Sequence, residues 1–535
     1  MRIDVPMMRG EIPRLAPHLL PNEAATHALD CQFGSGVVEP VRQDALALTL
    51  PIAASTFVQY QDSGWLAWAT RVHAIPSPIA QDPHQRIYWT GQGKPKVTSQ
   101  ERALNAQGVG PQAWYDLGVP APETAPVITA VDSSTGLPPP AGEPAMVDDE
   151  DRVYLQTYVT QFGEEGAPGP PSTPVLIEQP GSTVTLRLTT PGTNRHNLTH
   201  TRLYRSVTSA GISEYVLVAQ LPISVSTFSD THATVSGAVL ETDTFALPDA
   251  NLSGLCLMAN GICAGFAGNE VMFSEAYLPY AWPTNYRLTT QNDIVAMSPV
   301  GTSLVVGTTG QPYVFSGVTP SAMTATKLNI HQACVSADSM VVLRGTVVYA
   351  SPDGLVSVSS EGGELLSEAV IDRQTWQALS PDTIRAVSIE GQYFATHQGG
   401  SFLFDPVSQS LTRVSERWDA AYYHGVTDQL YLASGHQIRR WRSAETLQSY
   451  TWRSKPFVLS SGALMSCAQI DSPAPERLSV TFYADGVEIL QLSLGQVTTR
   501  PFRLPAVRAA RWQIAITGTS PVERIQIASD MRALQ

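Results

Sequence analysis

The sequence predicts an all-β protein: a discontinuous β-propeller with one β-sandwich inserted into it and a second, smaller β-sandwich at its C-terminus. Three observations carry that prediction. A hairpin phrase recurs through the second half of the chain at a period typical of propeller blades. Forty prolines and 39 glycines imply many turns and few long helices. Short runs of strand-forming residues, separated by turn signals, fill the region between the first and second blade-like segments.

Each copy of the phrase is a turn, an apolar strand, a small residue, a second turn and a second apolar strand. The copies begin at Gly261, Gly301, Gly345 and Gly391, which are 40, 44 and 46 residues apart, and a fifth begins at Asp428. Residues 55–98 read as a sixth blade, with strands Thr56–Tyr60, Trp65–Thr70 and Arg86–Thr90. The domains expected are therefore a docking arm over 1–45, a first propeller part over 46–119, an inserted sandwich over 120–245, the main propeller over 246–458 and a C-terminal sandwich over 459–535.

The first 45 residues read as irregular. Met8–Pro21 is too rich in proline for a helix or a central strand. Arg9 and Arg14, with Leu15, Leu19 and Leu20 needing an apolar surface, make this arm a candidate interface. Asn22 is placed to cap a short helix over Glu23–Leu29, and Gly36–Arg42 reads as an edge strand. Deleting residues 1–20 is expected to leave the propeller folded and to prevent docking.

A proline-punctuated linker, Tyr115–Pro126, leads into the inserted unit. There Thr183–Leu188 alternates cleanly, placing Val184, Leu186 and Leu188 on one face. Arg152–Thr160, His200–Ser206 and Glu214–Ala219 continue the strand series. Tyr158 running into Gly163, Glu164 and Pro168 resembles the corresponding strand and turn of a fibronectin type III domain. Strands at Leu478–Tyr483, Val487–Leu492 and Trp512–Ile516 mark the smaller C-terminal sandwich, a size that gains stability from packing on neighbours.

Chemistry is sparse. The net charge of −14 disfavours a protein that coats nucleic acid by neutralising phosphates, though it suits a surface past which DNA slides. The five cysteines are scattered and lack CxxC spacing, so buried free thiols are the plain reading, with Cys256 and Cys263 near each other across one hairpin. Asp148–Asp151 lacks the spacing of a calcium loop, and His196 and His200 would not share a helical face. Gly91–Lys96 lacks the spacer and the Ser or Thr of a phosphate loop. A glycosidase would need two opposed carboxylates; Glu275, Asp353 and Asp405 sit in or beside the repeats, and Asp353 and Asp405 mark hairpin turns, where acids are expected without catalysis. No catalytic, cofactor or metal residue is assigned, and no cofactor is expected. The N-terminus lacks an apolar signal-peptide core, which predicts synthesis in the cytoplasm, and no stretch approaches the length of a membrane span. The aromatic loop Phe273–Pro283 is the second candidate interface: Tyr277, Tyr280 and Trp282 are contact residues in one reading, and Trp282 a plug over the blade rim in the other.

Several phrases together resemble one family. They are Arg9–Pro21 followed by Ala24-Ala25 and Gly36–Pro40, Phe273-Ser-Glu275 with Ala281-Trp-Pro283, Gln332–Ser336, and Val348–Leu355. They are similar to the tail nozzle, or tail tubular protein B, group of tailed bacteriophages. The resemblance implies a virion tail protein and not an enzyme: a homo-oligomer, usually a hexameric ring, that extends the DNA-ejection channel below the portal and adaptor proteins. Tail fibre or spike proteins attach around such a ring, and phage DNA passes through its lumen without sequence-specific binding. The alternative expectations are a propeller that binds or depolymerises host glycans, and a bacterial adhesion module.

Overall fold

The computed structural model describes residues 1–133, 150–178, 181–209 and 212–534. Asp148 and Asp149 of the acidic run lie outside these residues. The chain is all-β, a discontinuous β-propeller with an inserted fibronectin III-like β-sandwich and a C-terminal β-sandwich. Its contacts divide it into two compact units. One comprises residues 1–71, 291–315 and 325–535, and the other residues 72–290 and 316–324.

In the first unit the repeated phrase becomes a succession of antiparallel four-stranded sheets. Sheet C holds Ile294–Val300, Ser303–Thr308, Tyr313–Ser316 and Thr324–Lys327, of which Ser316 and Thr324 fall to the other unit. Sheet D holds Val341–Leu343, Thr346–Ala350, Leu355–Ser359 and Gly362–Leu365. Sheet E holds Arg385–Ile389, Gln392–His397, Gly400–Asp405 and Ser410–Val414. Sheet F holds Ala420–His424, Gln429–Ser434, Gln437–Arg440 and, from the N-terminal part of the chain, Ala45–Thr49. The first strand of each sheet packs on the first strand of the next, and that of sheet F packs on Thr56–Tyr60. This is how blades stack about a propeller axis. Apolar side chains fill each seam: Val305, Val314, Tyr349 and Val356 between C and D, Trp376, Tyr393 and Phe402 between D and E, and Phe394, Trp418, Leu432 and Trp441 between E and F. Beyond F, Trp65 meets the ring of Tyr431 edge-on at 5.0 Å.

The recurring turn residues have a conformational cause. Gly261, Gly301, Gly345 and Gly391 all adopt left-handed backbone, φ +59° to +82°, and Asp428 of the fifth copy sits at +49°. Only glycine adopts that region without a Cβ penalty, and Asp tolerates it better than most residues.

The second unit contains sheet A (His73–Pro76, Ile87–Thr90, Lys96–Thr98 and Tyr115–Asp116) and sheet B (Ser253–Leu257, Cys263–Ala267, Glu270–Phe273 and Arg287–Thr289). They pack through Ile75, Tyr88, Val97, Leu252, Leu255 and Met272. The sequence reading of 55–98 as one blade is therefore corrected. Thr56–Tyr60 and Gly64–Trp68 form a hairpin in the first unit, whereas Ile87–Thr90 is a strand of sheet A. The strands His73–Pro76 and Lys96–Thr98 escaped notice because a proline borders or ends each. In sequence, the inserted sandwich falls between sheets A and B. One face is Val127–Asp132, Thr183–Arg187 and Thr227–Asp230, and the other is Tyr154–Thr160, Leu198–Ser209 and Ile212–Pro222. Val184, Leu186 and Leu188 are buried on one side, as their alternation requires.

The N-terminal segment departs most from expectation. It is no free arm. Arg2–Val5 pairs with Arg524–Ala528 and buries Ile3 and Val5 in the core of the C-terminal sandwich, together with Met8. Arg9–Glu11 is an interior strand between Ser410–Val414 of sheet E and Ala24–Leu29. The prolines that argued against a strand follow Glu11, at positions 13, 17 and 21. Ala24–Leu29 is a strand and not the helix expected, because Ala24, Ala25 and Ala28 are buried where only small side chains leave room for neighbours on both sides. Of Gly36–Arg42 only Glu39–Pro40 is strand, paired with Cys31–Gln32. Glu11 ties the junction: its carboxylate accepts from Ala28 N (2.8 Å) and from the Arg413 guanidinium (3.0 and 3.2 Å). A buried carboxylate persists only with such partners. The result is one eleven-stranded sheet. It runs from Arg385–Ile389 through sheet E, Arg9–Glu11 and Ala24–Leu29, into Tyr450–Ser454, Arg508–Gly518, Leu478–Ala484 and Val487–Leu492, with Phe457–Leu464 joined laterally.

Candidate interaction site

The two candidate contact regions belong to different units. In the second unit the loop after Phe273 is organised by its own backbone: Glu275 N donates to Ala281 O (2.9 Å) and Ala281 N to Leu278 O (3.1 Å). Tyr277 takes left-handed backbone, φ +64°, and its N–H donates to Gly261 O (2.8 Å). Its ring lies over Gly261, where an added Cβ would come within 2.6 Å of it. Turned this way, Tyr277 is 51% exposed.

Its neighbours turn inward. Trp282 is buried among Leu252, Leu255 and Met272 and donates from Nε1 to Pro279 O (2.7 Å). Tyr280 packs against Val119, Tyr158 and Leu198, meets Phe245 edge-on at 6.1 Å, and has its hydroxyl pushed by burial up to about 12. Tyr158 and Leu198 belong to the inserted sandwich. This loop is thus a joint that seats the sandwich on sheet B, and of its three aromatic candidates only Tyr277 faces outward.

A second part of the joint was invisible in sequence. Arg86 of sheet A donates from Nε to Asp82 (2.7 Å) and from Nη1 to Glu164 (2.5 Å), with all three side chains nearly buried. Glu164 sits in the Gly163-Glu164 turn of the sandwich. Burial pushes its carboxyl up to about 7, although the Arg86 charge works against the shift. The Arg86 guanidinium also lies over the Phe162 ring, 5.3 Å from its centroid. Glu164 is 78 residues from Arg86, and no local motif links them.

In the first unit the N-terminal candidates divide similarly. The Arg9 guanidinium donates to Ser408 O and pairs with Glu23 at 3.7 Å, and that of Arg14 donates to Glu368 O. Leu20 is buried with Ile12 and Ala24. Leu15 and Leu19, around the single turn Pro17–Leu19, are 37% and 64% exposed.

The groups that might have supplied chemistry are occupied. The five cysteines are unpaired, and burial pushes the thiols of Cys263 and Cys334 up to about 12. Thiols held so far above neutrality are poor nucleophiles. His196 Nδ1 contacts Gly118 O at 2.9 Å, and His200 Nδ1 contacts Thr199 Oγ1 at 3.0 Å. Among the described residues no group of three His, Cys, Asp or Glu side chains is placed to hold a metal, and no helix is long and apolar enough to cross a membrane.

No protein-family model and no curated protein matches the chain. Solved structures with some likeness include the extracellular domain of a one-component system of B. thetaiotaomicron (9% identity, 95% of this chain and 81% of that one, TM-score 0.28). Others are an exo-β-1,3-galactanase of Phanerochaete chrysosporium (8%, 90% and 100%, 0.19) and the WD40 domain of SCAP from fission yeast (10%, 63% and 92%, 0.23). At these scores the likenesses inform on neither activity nor partner.

Proposed function

We propose that the protein is a structural subunit of a bacteriophage tail. In this reading it is a nozzle-type, hexameric ring component that extends the DNA channel below portal and adaptor proteins and carries fibres or spikes, without catalysis. One observation carries the reading: the continuous sheet that runs from sheet E through both N-terminal strands into the C-terminal sandwich. Both chain ends meet in a separate four-stranded sheet of the C-terminal sandwich, with Met1 amine donating to Ser529 Oγ (3.0 Å) and Arg2–Val5 laddered on Arg524–Ala528. A part that transmits load between a capsid and a host surface benefits from such continuity. The exposed apolar side chains Leu15, Leu19 and Tyr277 are then the contact points for neighbouring subunits. Closed rings use one patch against a different patch of the next copy. Mass photometry of the purified protein tests the reading: a discrete multiple of the 57.6 kDa subunit supports it. A monomer at all concentrations, in a protein absent from purified particles, would overturn it.

A further inference from the structure

Nine of the ten tryptophans are buried, and Trp114 is the exception, 43% exposed. It stands just before Tyr115–Asp116 of sheet A and meets the buried Trp89 edge-on at 6.2 Å. Lys96 Nζ lies 5.0 Å from its ring centroid and is held there by donating to Gln92 O (2.8 Å). Next to it the Arg102 guanidinium covers the Tyr115 ring at 4.1 Å. Lys94 is exposed on the 91–96 turn, and Arg195, also exposed, is brought alongside by the bond from Asp116 N to its carbonyl (2.9 Å). The chain has only four lysines, and two are here. In a protein of net charge −14, this sets Lys96 on the Trp114 ring and Arg102 on the Tyr115 ring, with the exposed Lys94 and Arg195 on adjoining segments and the acids Asp116 and Glu101 on the same stretch of chain.

We infer that this patch on sheet A, centred on Trp114, is a binding site for a sparsely charged acidic glycan. The exposed part of the indole offers apolar surface for the C–H face of a pyranose ring beside the Lys96 ammonium, and the cations offer charge-assisted hydrogen bonds to an isolated carboxylate or phosphate. The local excess of cations over acids is small and the rest of the protein is acidic. That balance favours a polymer with widely spaced charges over nucleic acid, whose duplex carries a charge every ~1.7 Å and needs many cations in a row. The Gly91–Lys96 turn, unfit as a phosphate loop, thereby acquires a use: it delivers Lys94 and positions Lys96. The inference is independent of ring assembly.

Native gels containing hyaluronan, which bears one carboxylate per disaccharide, test it, with neutral dextran and an oligothymidylate as comparators. Hyaluronan is expected to retard the full-length protein, less so as salt rises. Trp114→Ala, and separately Lys94→Ser with Arg195→Ser, should each weaken the apparent Kd about tenfold, with the thermal midpoint unchanged in the exposed double variant. No retardation by hyaluronan or gellan would overturn the assignment. So would equal retardation of both variants and the parent, or tighter binding to the oligothymidylate.

Discussion

Removing residues 1–8 should unravel the C-terminal sandwich while sparing the blades. The deletion takes away Ile3, Val5 and Met8, which are 6%, 0% and 1% exposed in a core they share with Trp452, Trp512, Ile525 and Ile527. At about 1.5–3 kcal/mol for each buried side chain, the loss is about 6 kcal/mol. It is an upper figure, because an unfolded chain already buries some of this surface. Even half of it is a large part of the ~5–15 kcal/mol that holds a typical domain together. The deletion also strips one edge of the Arg524–Ala528 strand and removes Asp4, whose carboxylate pairs with Arg524 at 2.7 Å. Urea titration followed by far-UV circular dichroism, with limited trypsin digestion, reads the outcome. The truncated protein should show an early transition and rapid cleavage after the exposed Arg500, Arg503 and Arg508, leaving a resistant fragment that contains sheets C to F. Retention of the full-length midpoint and of trypsin resistance would refute the claim that this segment is structural.

Three further outcomes follow from the geometry. Glu164 binds its proton more tightly in the folded state (about 7) than in its ordinary state (4.5), so its contribution is complete below pH 4.5 and is lost as pH rises through 7. The loss is on the order of 3 kcal/mol, and Glu164→Gln should flatten the pH dependence of thermal unfolding in this range. A slope unchanged by the substitution would count against the joint as described. Gly261→Ala forces a Cβ to within 2.6 Å of the Tyr277 ring at φ +77°, so it should destabilise by ~1–3 kcal/mol. Trimming the ring with Tyr277→Ala should restore part of that in a double-mutant cycle by denaturant melts. Leu19→Glu, at a residue 64% exposed, should change stability by no more than ~0.5 kcal/mol yet abolish ring formation in mass photometry.

What sequence reasoning could and could not see divides along physical lines. The blade hairpins were legible because each is local: a left-handed turn at Gly301, Gly345 or Gly391 forces the reversal, and flanking apolar residues declare the strands. Val184, Leu186 and Leu188 announced the sandwich core in the same way. The N-terminal strands were not legible, because their partners lie hundreds of residues away: Arg2 opposite Ala528, and Glu11 opposite Leu411. Ala24–Leu29, read alone, has the composition of a helix, and only burial between two strands makes it extended. For the candidate contact residues, sequence flagged an aromatic loop and could not orient it. Tyr277, Tyr280 and Trp282 lie within six positions, yet Tyr277 faces solvent, Tyr280 seats the inserted sandwich and Trp282 fills the core between sheets A and B, a difference set by the left-handed backbone at Tyr277. The Asp82–Arg86–Glu164 network left no trace beyond a Gly-Glu turn that fibronectin-like domains commonly carry.

The structural-subunit account is tested most directly by electron microscopy of purified phage particles labelled with an antibody raised against this protein. It predicts label confined to the tail, with the isolated protein forming closed rings that enclose a channel wide enough for duplex DNA. Unlabelled particles, together with an isolated protein that stays monomeric, would contradict it.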